Sequence, residues 1–166
     1  MTQSAPLTEV KHVDRLRQNL LRKGYAPVPV KTRQKKPEGL QWQIKAQART
    51  FSPTSPASMN TGILCAGLRV LDIDVDDALI ANKLFETAIS LFGDAPVRIR
   101  SDSARKLIVY RAKEGKPSKR VLVSNTVRNH DGKWSKVEVL GHGQQFVAYG
   151  THPDGCLLYT SPSPRD

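Results

Sequence analysis

Two aspartates lie two positions apart in an otherwise apolar segment, Leu71-Asp72-Ile73-Asp74-Val75. Because side chains alternate between the two faces of a strand, we predict that the three apolar residues enter the core while both aspartates share the opposite face. Carboxylates at this spacing lie about 6–7 Å apart along a strand, near enough to share one or two divalent ions. Aspartate is depleted in strands. A metal site therefore explains the pair better than the alternative, a solvated strand with two exposed acids.

A third carboxylate stands in a second apolar segment, Val137-Glu138-Val139-Leu140. Alone it is weak evidence, since an exposed glutamate on an edge strand is the commoner case. Together with Asp72 and Asp74, however, Glu138 completes the oxygen donor set of a two-metal site. Mg²⁺ and Mn²⁺ prefer oxygen ligands, and substrate phosphates can fill their remaining positions. We therefore predict two such ions, held by these three carboxylates as the catalytic residues.

Basic side chains that can hold a phosphate surround a polar turn between residues 98 and 111. Serine hydroxyls and backbone amides in the turn can cradle phosphate oxygens, and Arg100, Arg105 or Lys106 can pair with them. The alternative is a basic hairpin on a solvated surface. The residues that we assign to phosphate binding in this part of the chain are Arg100, Ser101, Lys106 and Arg111.

Two further segments contain candidate binding residues. Residues 141–153 are rich in glycine, which allows close backbone approach to a ligand. Within them Gln145 and His152 are candidate contacts to a base, sugar or phosphate, although Gln144 also fits and a lone histidine is more often structural. Nearer the N-terminus, a basic loop and a tryptophan are typical of single-stranded nucleic-acid binding; these residues are Lys31, Arg33, Lys35, Lys36 and Trp42.

The net charge supports a polyanionic partner. The 166 residues include 26 Lys and Arg against 15 Asp and Glu, a formal charge of +11. Such an excess favours nucleic acid, because each cation that meets a phosphate releases counterions. Cys65 and Cys156 form neither a disulfide framework nor a zinc pattern. No apolar stretch is long enough to span a membrane, and residues 1–6 lack the apolar core of a signal peptide, so we expect a cytoplasmic protein without a membrane partner.

The element order predicts an α+β fold of one domain, residues 8–155. An amphipathic helix over 8–23 precedes an extended piece at 25–30, a short helix beginning at Trp42 and a Pro/Ser-rich loop. Asp76 or Asp77 caps a central helix that ends at Gly93. Strands are predicted over residues 62–66, 68–75, 97–100, 107–112, 120–124, 137–140 and 145–149. Residues 156–166 break the pattern and are predicted to be a non-native or disordered tail.

In this order, the segments resemble the N-terminal domain of bifunctional DNA primase/polymerases, the prim-pol group of the archaeo-eukaryotic primase superfamily, found in phages, plasmids and other mobile elements. The resemblance covers most of residues 20–153. The matching pieces are Gly24-Tyr25-Ala26-Pro27-Val28-Pro29-Val30 with Lys36-Pro37 and Trp42, Asn60-Thr61-Gly62-Ile63, Leu71-Asp72-Ile73-Asp74, Val137-Glu138-Val139-Leu140-Gly141, Gly143-Gln144-Gln145 and Gly150-Thr151-His152-Pro153.

The resemblance implies an RRM-like catalytic sheet with a small N-terminal α/β unit. It also implies template-directed nucleotidyl transfer from nucleoside triphosphates on single-stranded DNA, with Asp72, Asp74 and Glu138 binding two metal ions and a replicative helicase as domain or partner. The residues assigned above to phosphate binding, together with Gln145 and His152, would then bind the nucleotide.

The chain departs from the family pattern at one place. The superfamily usually carries a small-x-His motif that touches the incoming nucleotide, yet Ser101 to Lys106 contain no histidine, and Arg105 or Lys106 stands where one is expected. The family also usually continues beyond the His-Pro pair with an aromatic-containing segment. Two rival functions therefore remain: a non-catalytic domain that binds single-stranded nucleic acid and, less favoured, a metal-dependent nuclease.

Overall fold

The computed structural model describes residues 7–155 and 157–161, which fall into two compact units. Of the described residues, the N-terminal unit contains 7–66, 143–155, 157 and 158, and the central unit contains 67–142 and 159–161. In chain order the elements are α1 (Leu7–Arg22), β1 (Pro27–Val30), α2 (Trp42–Gln47), a 3-10 turn (Pro56–Ser58), β2 (Asn60–Leu64), β3 (Leu68–Asp74), α3 (Ala78–Phe92), β4 (Val97–Arg100), β5 (Ser103–Arg111), β6 (Arg120–Arg128), β7 (Trp134–Leu140), β8 (Gln145–Thr151) and β9 (Leu157–Ser161).

The predicted α+β class is confirmed: the strands pair antiparallel and only three α-helices accompany them in the part of the chain described. Most predicted elements lie within a few residues of their observed bounds. The largest differences are in β5, which begins at Ser103 rather than at Leu107, and in β6, which ends at Arg128 rather than at residue 124. Within the described segments, no helix has the length and apolar character needed to cross a membrane.

In the N-terminal unit, β2 lies between β1 and β8, and all three are antiparallel. Their apolar side chains form a core with α2, in which Val28, Val30 and Leu64 are almost completely buried. Strand β9 pairs with β8 through Gly150–Leu158 and Thr151–Leu157. It thus falls inside the segment 156–166 that we assigned to a tail. Cys156 and residues 162–166 of that segment lie outside the described residues, and the domain boundary at residue 155 stays a prediction.

Helix α1 is attached to this unit by a buried arginine. Arg17 has no exposed surface, and its guanidinium donates to Thr54 Oγ1 at 2.7 Å, Thr61 Oγ1 at 3.1 Å and the carbonyls of Ser58 and Asn60 at 2.5 and 3.0 Å. Burial lowers the pKa of Arg17 to about 10. The helical pattern gave no indication of this role, because a cation on an amphipathic helix is normally assigned to the solvent face.

A second polar connection fixes the end of β8. Asn60 donates to the carbonyl of Thr151 at 2.7 Å and accepts from its amide at 2.9 Å. Gly150 lies against Asn60 with a φ of +124°, so a Cβ at this position would lie 2.1 Å from Asn60 Oδ1. The glycine in the predicted Gly150-Thr151-His152-Pro153 motif therefore has a packing reason in addition to any contact with a ligand.

In the central unit, the strand pairings place β3 between β5 and β7, with β4 beyond β5 and β6 beyond β7. Helix α3 covers one face of this sheet. Asp77 caps it by accepting from the amide of Ile80 at 2.9 Å. Ile73 and Val75 pack under α3 with Ala81 and Ile108. As the alternation predicts, the aspartates of β3 therefore face away from α3.

Candidate active site

The three predicted carboxylates stand on one face of the central sheet. Strand β3 pairs with β7 so that Asp72 lies directly opposite Glu138, while Asp74 lies opposite Lys136. Opposed residues on neighbouring antiparallel strands have Cβ atoms about 4.5–5.5 Å apart and point to the same face. The register thus brings an acid from each of two strands together, with the second acid of β3 one step along.

Every one of these carboxylates has a basic neighbour. Arg98 Nη2 lies 3.8 Å from Asp72 Oδ1, and Arg105 Nη1 lies 2.6 Å from Asp74 Oδ1. On Glu138, the same oxygen lies 2.7 Å from Lys119 Nζ and 3.1 Å from Lys136 Nζ, and Lys136 Nζ also lies 3.9 Å from Asp74 Oδ2. The acidic face is therefore closely matched in charge by the chain's own cations.

Glu138 is held in its charged form. Only 9% of the residue is exposed, and this burial by itself raises the pKa of the carboxyl. The hydrogen bonds from Lys119 and Lys136 outweigh burial, and the pKa of Glu138 is lowered below its ordinary value. A carboxylate that stays ionised although most of its residue is removed from water is available as a metal ligand or as an ion-pair partner.

A fourth acid next to the site holds Arg105. Asp76 follows β3, and its two carboxylate oxygens accept from Arg105 Nε at 2.6 Å and Nη2 at 3.2 Å. The amide of His130 donates to Asp76 Oδ2 at 2.9 Å. The hydrogen bond from Arg105 is the main reason that the pKa of Asp76 is lowered. The guanidinium plane is therefore fixed on one edge, while its Nη1 forms an ion pair with Asp74 Oδ1.

A buried asparagine fixes the backbone around these aspartates. Asn129, between β6 and β7, donates to the carbonyl of Asp74 at 3.1 Å and accepts from the amide of Asp76 at 3.0 Å. Ser135 Oγ donates to the same Asn129 oxygen at 2.8 Å. The end of β3 is thus tied to the turn before β7, the strand that carries Glu138.

Because β5 begins at Ser103, Arg105 and Lys106 lie within the strand rather than in the turn predicted from the sequence. Because Arg105 and Lys106 are consecutive in a strand, they point to opposite faces. Lys106 is paired with Ile73, and its amine donates to Asn82 of α3 at 2.5 Å and lies 5.5 Å from the Phe85 ring centroid. The structure therefore brings Arg105 to the carboxylates and places the predicted phosphate ligand Lys106 on the helix-covered face.

The other predicted phosphate ligands of the central unit lie in two places. Arg100 and Ser101 are at the turn between β4 and β5, where Arg100 Nε lies 3.4 Å from Asp102 Oδ1. Arg111 is at the far end of β5, paired with Leu68. Asp72 lies four positions after Leu68 in β3, so the two Cα atoms are about 13 Å apart along the strand. The turn residues are thus compatible with the site, whereas Arg111 lies well away from the carboxylates.

Residues 17–160 match the family described as bifunctional DNA primase/polymerase, N-terminal. The chain belongs to this family. The family model spans both units and confirms the resemblance drawn from the ordered motifs. The family's chemistry is nucleotidyl transfer in DNA priming and synthesis, and it generally depends on metal ions. No curated protein matches the chain.

The carboxylates of this primase/polymerase domain suit the metal ions that its family uses. Asp72, Asp74 and Glu138 offer the oxygen donors that Mg²⁺ and Mn²⁺ prefer, on one face and from adjacent strands. Over residues 7–155 and 157–161, no three His, Cys, Asp or Glu side chains are arranged closely enough to hold an ion. Each of the three carboxylates forms an ion pair with a basic side chain instead. The donor set therefore fits, provided that Arg105 and Lys136 give up their contacts when ions bind.

The remaining predicted binding residues of the domain belong to the N-terminal unit. The loop after β1 is closed by a hydrogen bond from the amide of Lys31 to the carbonyl of Lys36 at 3.0 Å. Gln145 Nε2 donates to the carbonyl of Lys35 at 2.9 Å, so this glutamine supports the loop. The side chains of Arg33, Lys35 and Lys36 are exposed. The loop thus presents cations from a fixed backbone.

Two other residues of this unit are used at least partly for packing. The Trp42 ring is partly buried against the core of the N-terminal unit. His152 is buried in the turn after β8, where its Nδ1 lies 3.0 Å from Asp154 Oδ2 and its carbonyl accepts from the amide of Gly155. These contacts indicate that Trp42 and His152 contribute to the structure. The assignment of the two residues to ligand binding stays a prediction.

Sequence reasoning missed several residues of the site. Lys136 could have been found, because it stands two positions before Glu138 in the same strand and must share its face. Arg98 could have been found in the same way, because it stands two positions before the predicted phosphate ligand Arg100 in one strand and shares its face. Asn129 and Lys119, in contrast, reach the site through turns whose pairing depends on tertiary structure, and no local pattern marks them.

Proposed function

We propose that the chain is a catalytically competent primase/polymerase domain that transfers nucleotides from nucleoside triphosphates onto a growing strand, directed by a single-stranded DNA template. One observation carries the proposal: the register of β3 and β7 sets Glu138 opposite Asp72 on the face that Asp74 shares. Three carboxylates on one rigid sheet face are the support that two-metal phosphoryl chemistry requires. The RRM-like character of this sheet is part of the same proposal.

Each residue has a defined role in the proposed reaction. Asp72, Asp74 and Glu138 would hold two Mg²⁺ or Mn²⁺ ions. When bound, such ions lower the pKa of the attacking 3′-hydroxyl and neutralise the triphosphate. Arg100 and Ser101, at the β4–β5 turn, would contact phosphate oxygens. Lys106 and Arg111 are not given this role, because one contacts α3 and the other lies at the far end of β5.

The N-terminal unit would bind the template. Arg33, Lys35 and Lys36 are exposed on a loop whose backbone is held by internal hydrogen bonds. Cations on a fixed backbone can follow the phosphates of a single strand without a large ordering cost. We further propose that the domain acts with a replicative helicase, in the cytoplasm, during replication of a phage or another mobile element, as the family resemblance implies.

The test is incorporation of labelled nucleoside triphosphates on single-stranded DNA with Mg²⁺ or Mn²⁺, with and without a primer. The Asp72→Ala/Asp74→Ala variant should lose all products. The control is Glu86→Gln, which removes an exposed acid of α3 and should leave incorporation unchanged. Unprimed products would establish primase activity. Undiminished incorporation by the double variant would refute the assignment of the carboxylates.

A non-catalytic nucleic-acid-binding domain is the second candidate, and the ion pairs favour it. Asp72, Asp74 and Glu138 are already balanced by Arg98, Arg105, Lys119 and Lys136, and Arg105 or Lys106 stands where the family usually has its histidine. This candidate predicts binding of single-stranded DNA that is independent of Mg²⁺, with no incorporation by the wild-type chain.

A further inference from the structure

The orientation of Arg105 is the feature of the site that neither the motifs nor the family match explains. Its side chain lies on the carboxylate face, with 24% of its surface exposed. Nε and Nη2 lie along one edge of the guanidinium and are taken by the two oxygens of Asp76. On the other edge, Nη1 lies 2.6 Å from Asp74 Oδ1 in an ion pair. The group is thus held from one side and presents its second edge to the place where the proposed metals and substrate would meet.

Asp76 is itself immobilised. Its carboxylate accepts from the amide of His130 at 2.9 Å, and its own amide donates to Asn129 at 3.0 Å. The ion pair is partly buried, since only 13% of the Asp76 side chain is exposed. The carboxylate is thus fixed by the His130 amide, on a residue whose backbone Asn129 holds. It sets the plane of the arginine bound to it, because the bidentate geometry leaves the guanidinium little freedom.

We propose that Arg105 contacts the triphosphate of the incoming nucleotide and that Asp76 acts as the positioning residue that aims it. The proposal rests on the proposed function and deepens it. When metal ions take Asp74, the Nη1 edge of Arg105 loses its present partner and can donate to phosphate oxygens. Arginine suits this exchange, because its planar fork matches a phosphate as well as a carboxylate. Lys106, the neighbouring alternative, points to α3 and cannot make this contact.

Binding of labelled dATP by equilibrium dialysis tests the proposal without relying on turnover. It is measured once with Mg²⁺ and once with EDTA, so that a contact made by the protein is separated from one made by ions. Arg105→Gln should weaken dATP binding about ten- to hundredfold with Mg²⁺, as expected when a charge-assisted hydrogen bond is removed, and much less with EDTA, because Asp74 then keeps its contact with Nη1. Arg105→Lys should recover only part of the affinity, because a lysine keeps the charge but loses the fork. Arg69→Gln, on the opposite face of β3, is the matched control and should bind like the wild type.

Asp76→Asn gives the sharper test, because the two explanations predict opposite signs. Removal of a negative charge beside a triphosphate site should strengthen dATP binding if Asp76 acts only through its charge. If Asp76 positions Arg105, binding should weaken severalfold, and the effect should vanish when Arg105→Gln is already present. Stronger binding by Asp76→Asn, or an equal weakening in both backgrounds, would overturn the positioning role. Circular dichroism of each variant shows that the fold is kept, and Arg105→Lys replaces Arg105→Gln if the latter does not fold.

Failure of this inference and failure of the proposed function would look different. Wild-type affinity for dATP and normal incorporation in Arg105→Gln would overturn the inference and leave the polymerase function standing. Arg105-dependent dATP binding without incorporation by the wild type would leave the inference standing and refute catalysis. No dATP binding by the wild-type chain would overturn the inference directly.

Discussion

Glu138 faces Asp72 across the β3–β7 pair, although a helix and three strands separate the two residues along the chain. Strand β7 also sets Lys136 opposite Asp74. The pairing therefore places an alternating arrangement of acids and bases on one sheet face. Such an arrangement is stable without bound ions, because each carboxylate has a cation within 4 Å, and it offers three oxygen donors when ions arrive.

Glu138→Gln tests whether this acid is catalytic or only an ion-pair partner. The substitution keeps the size of the side chain and removes its charge, so Lys119 and Lys136 keep a hydrogen-bond acceptor. We expect incorporation of nucleotides to fall about a hundredfold or more, as for removal of other preorganised electrostatic groups. Primer extension measures the effect, and urea unfolding checks that stability is little changed. Near-normal incorporation would restrict the metal site to the two aspartates of β3.

Removal of the exposed cations of the loop after β1 should reduce affinity for single-stranded DNA in a salt-dependent way. For Arg33→Gln/Lys35→Gln/Lys36→Gln we expect the slope of log affinity against log salt to fall by about two, at about 0.7 for each phosphate that the variant no longer neutralises. The loop should keep its shape, since its backbone makes the hydrogen bonds.

The control for this variant removes three exposed cations elsewhere in the N-terminal unit, Lys11, Arg15 and Lys45. Fluorescence anisotropy with a labelled oligonucleotide at several salt concentrations measures both slopes. Equal changes in the two triple variants would show that net charge, rather than this loop, determines binding.

Arg17→Met should be strongly destabilising. The variant removes all four donors from Thr54, Thr61 and the carbonyls of Ser58 and Asn60, and these groups stay buried. We expect the free energy of unfolding to fall by about 3 kcal/mol or more, typical of a broken buried polar network. Urea denaturation measures it. Arg15→Met, an exposed position of the same helix, should change stability by less than about 0.5 kcal/mol. If Arg17→Met lowered the free energy of unfolding as little as Arg15→Met does, water would be replacing the contacts of Arg17.

Cys65 should make the fold sensitive to alkaline pH. Burial raises the pKa of its thiol to about 12, from an ordinary value near 9. The unfolded chain therefore releases a proton above pH 9 while the folded chain retains it, so this contribution to stability is present below pH 9 and is lost as the pH rises towards 12. At pH 10 the decrease is about 1 kcal/mol.

Comparison of urea unfolding at pH 7 and pH 10 measures this effect. Cys65→Ala should show a smaller decrease over the same interval, because it has no thiol to ionise, although its stability at pH 7 will also be lower. The native thiol should react with iodoacetamide far more slowly than the thiol of the urea-unfolded chain. An identical pH dependence in the wild type and Cys65→Ala would show that the thiol does not carry the effect.

The local features of the domain could be predicted from the amino-acid sequence. Alternation along Leu71–Val75 correctly assigned Ile73 and Val75 to the core and both aspartates to the other face. Capping and periodicity located α3, and the ordered motifs identified the family. These features depend on neighbours within a few residues, so the sequence pattern is sufficient to predict them.

The contacts between residues from distant segments, in contrast, follow from the fold of the whole chain. The register of β3 with β7 and β5, rather than any local spacing, sets Glu138 opposite Asp72 and brings Arg105 to Asp74. The extension of β5 back to Ser103 includes Arg105 and Lys106 in the strand, and its register with β3 sends Arg105 to the carboxylates and Lys106 to α3. The burial of Arg17 likewise depends on polar groups contributed by a distant loop. Long-range pairing results from packing of the whole chain, which local patterns do not specify.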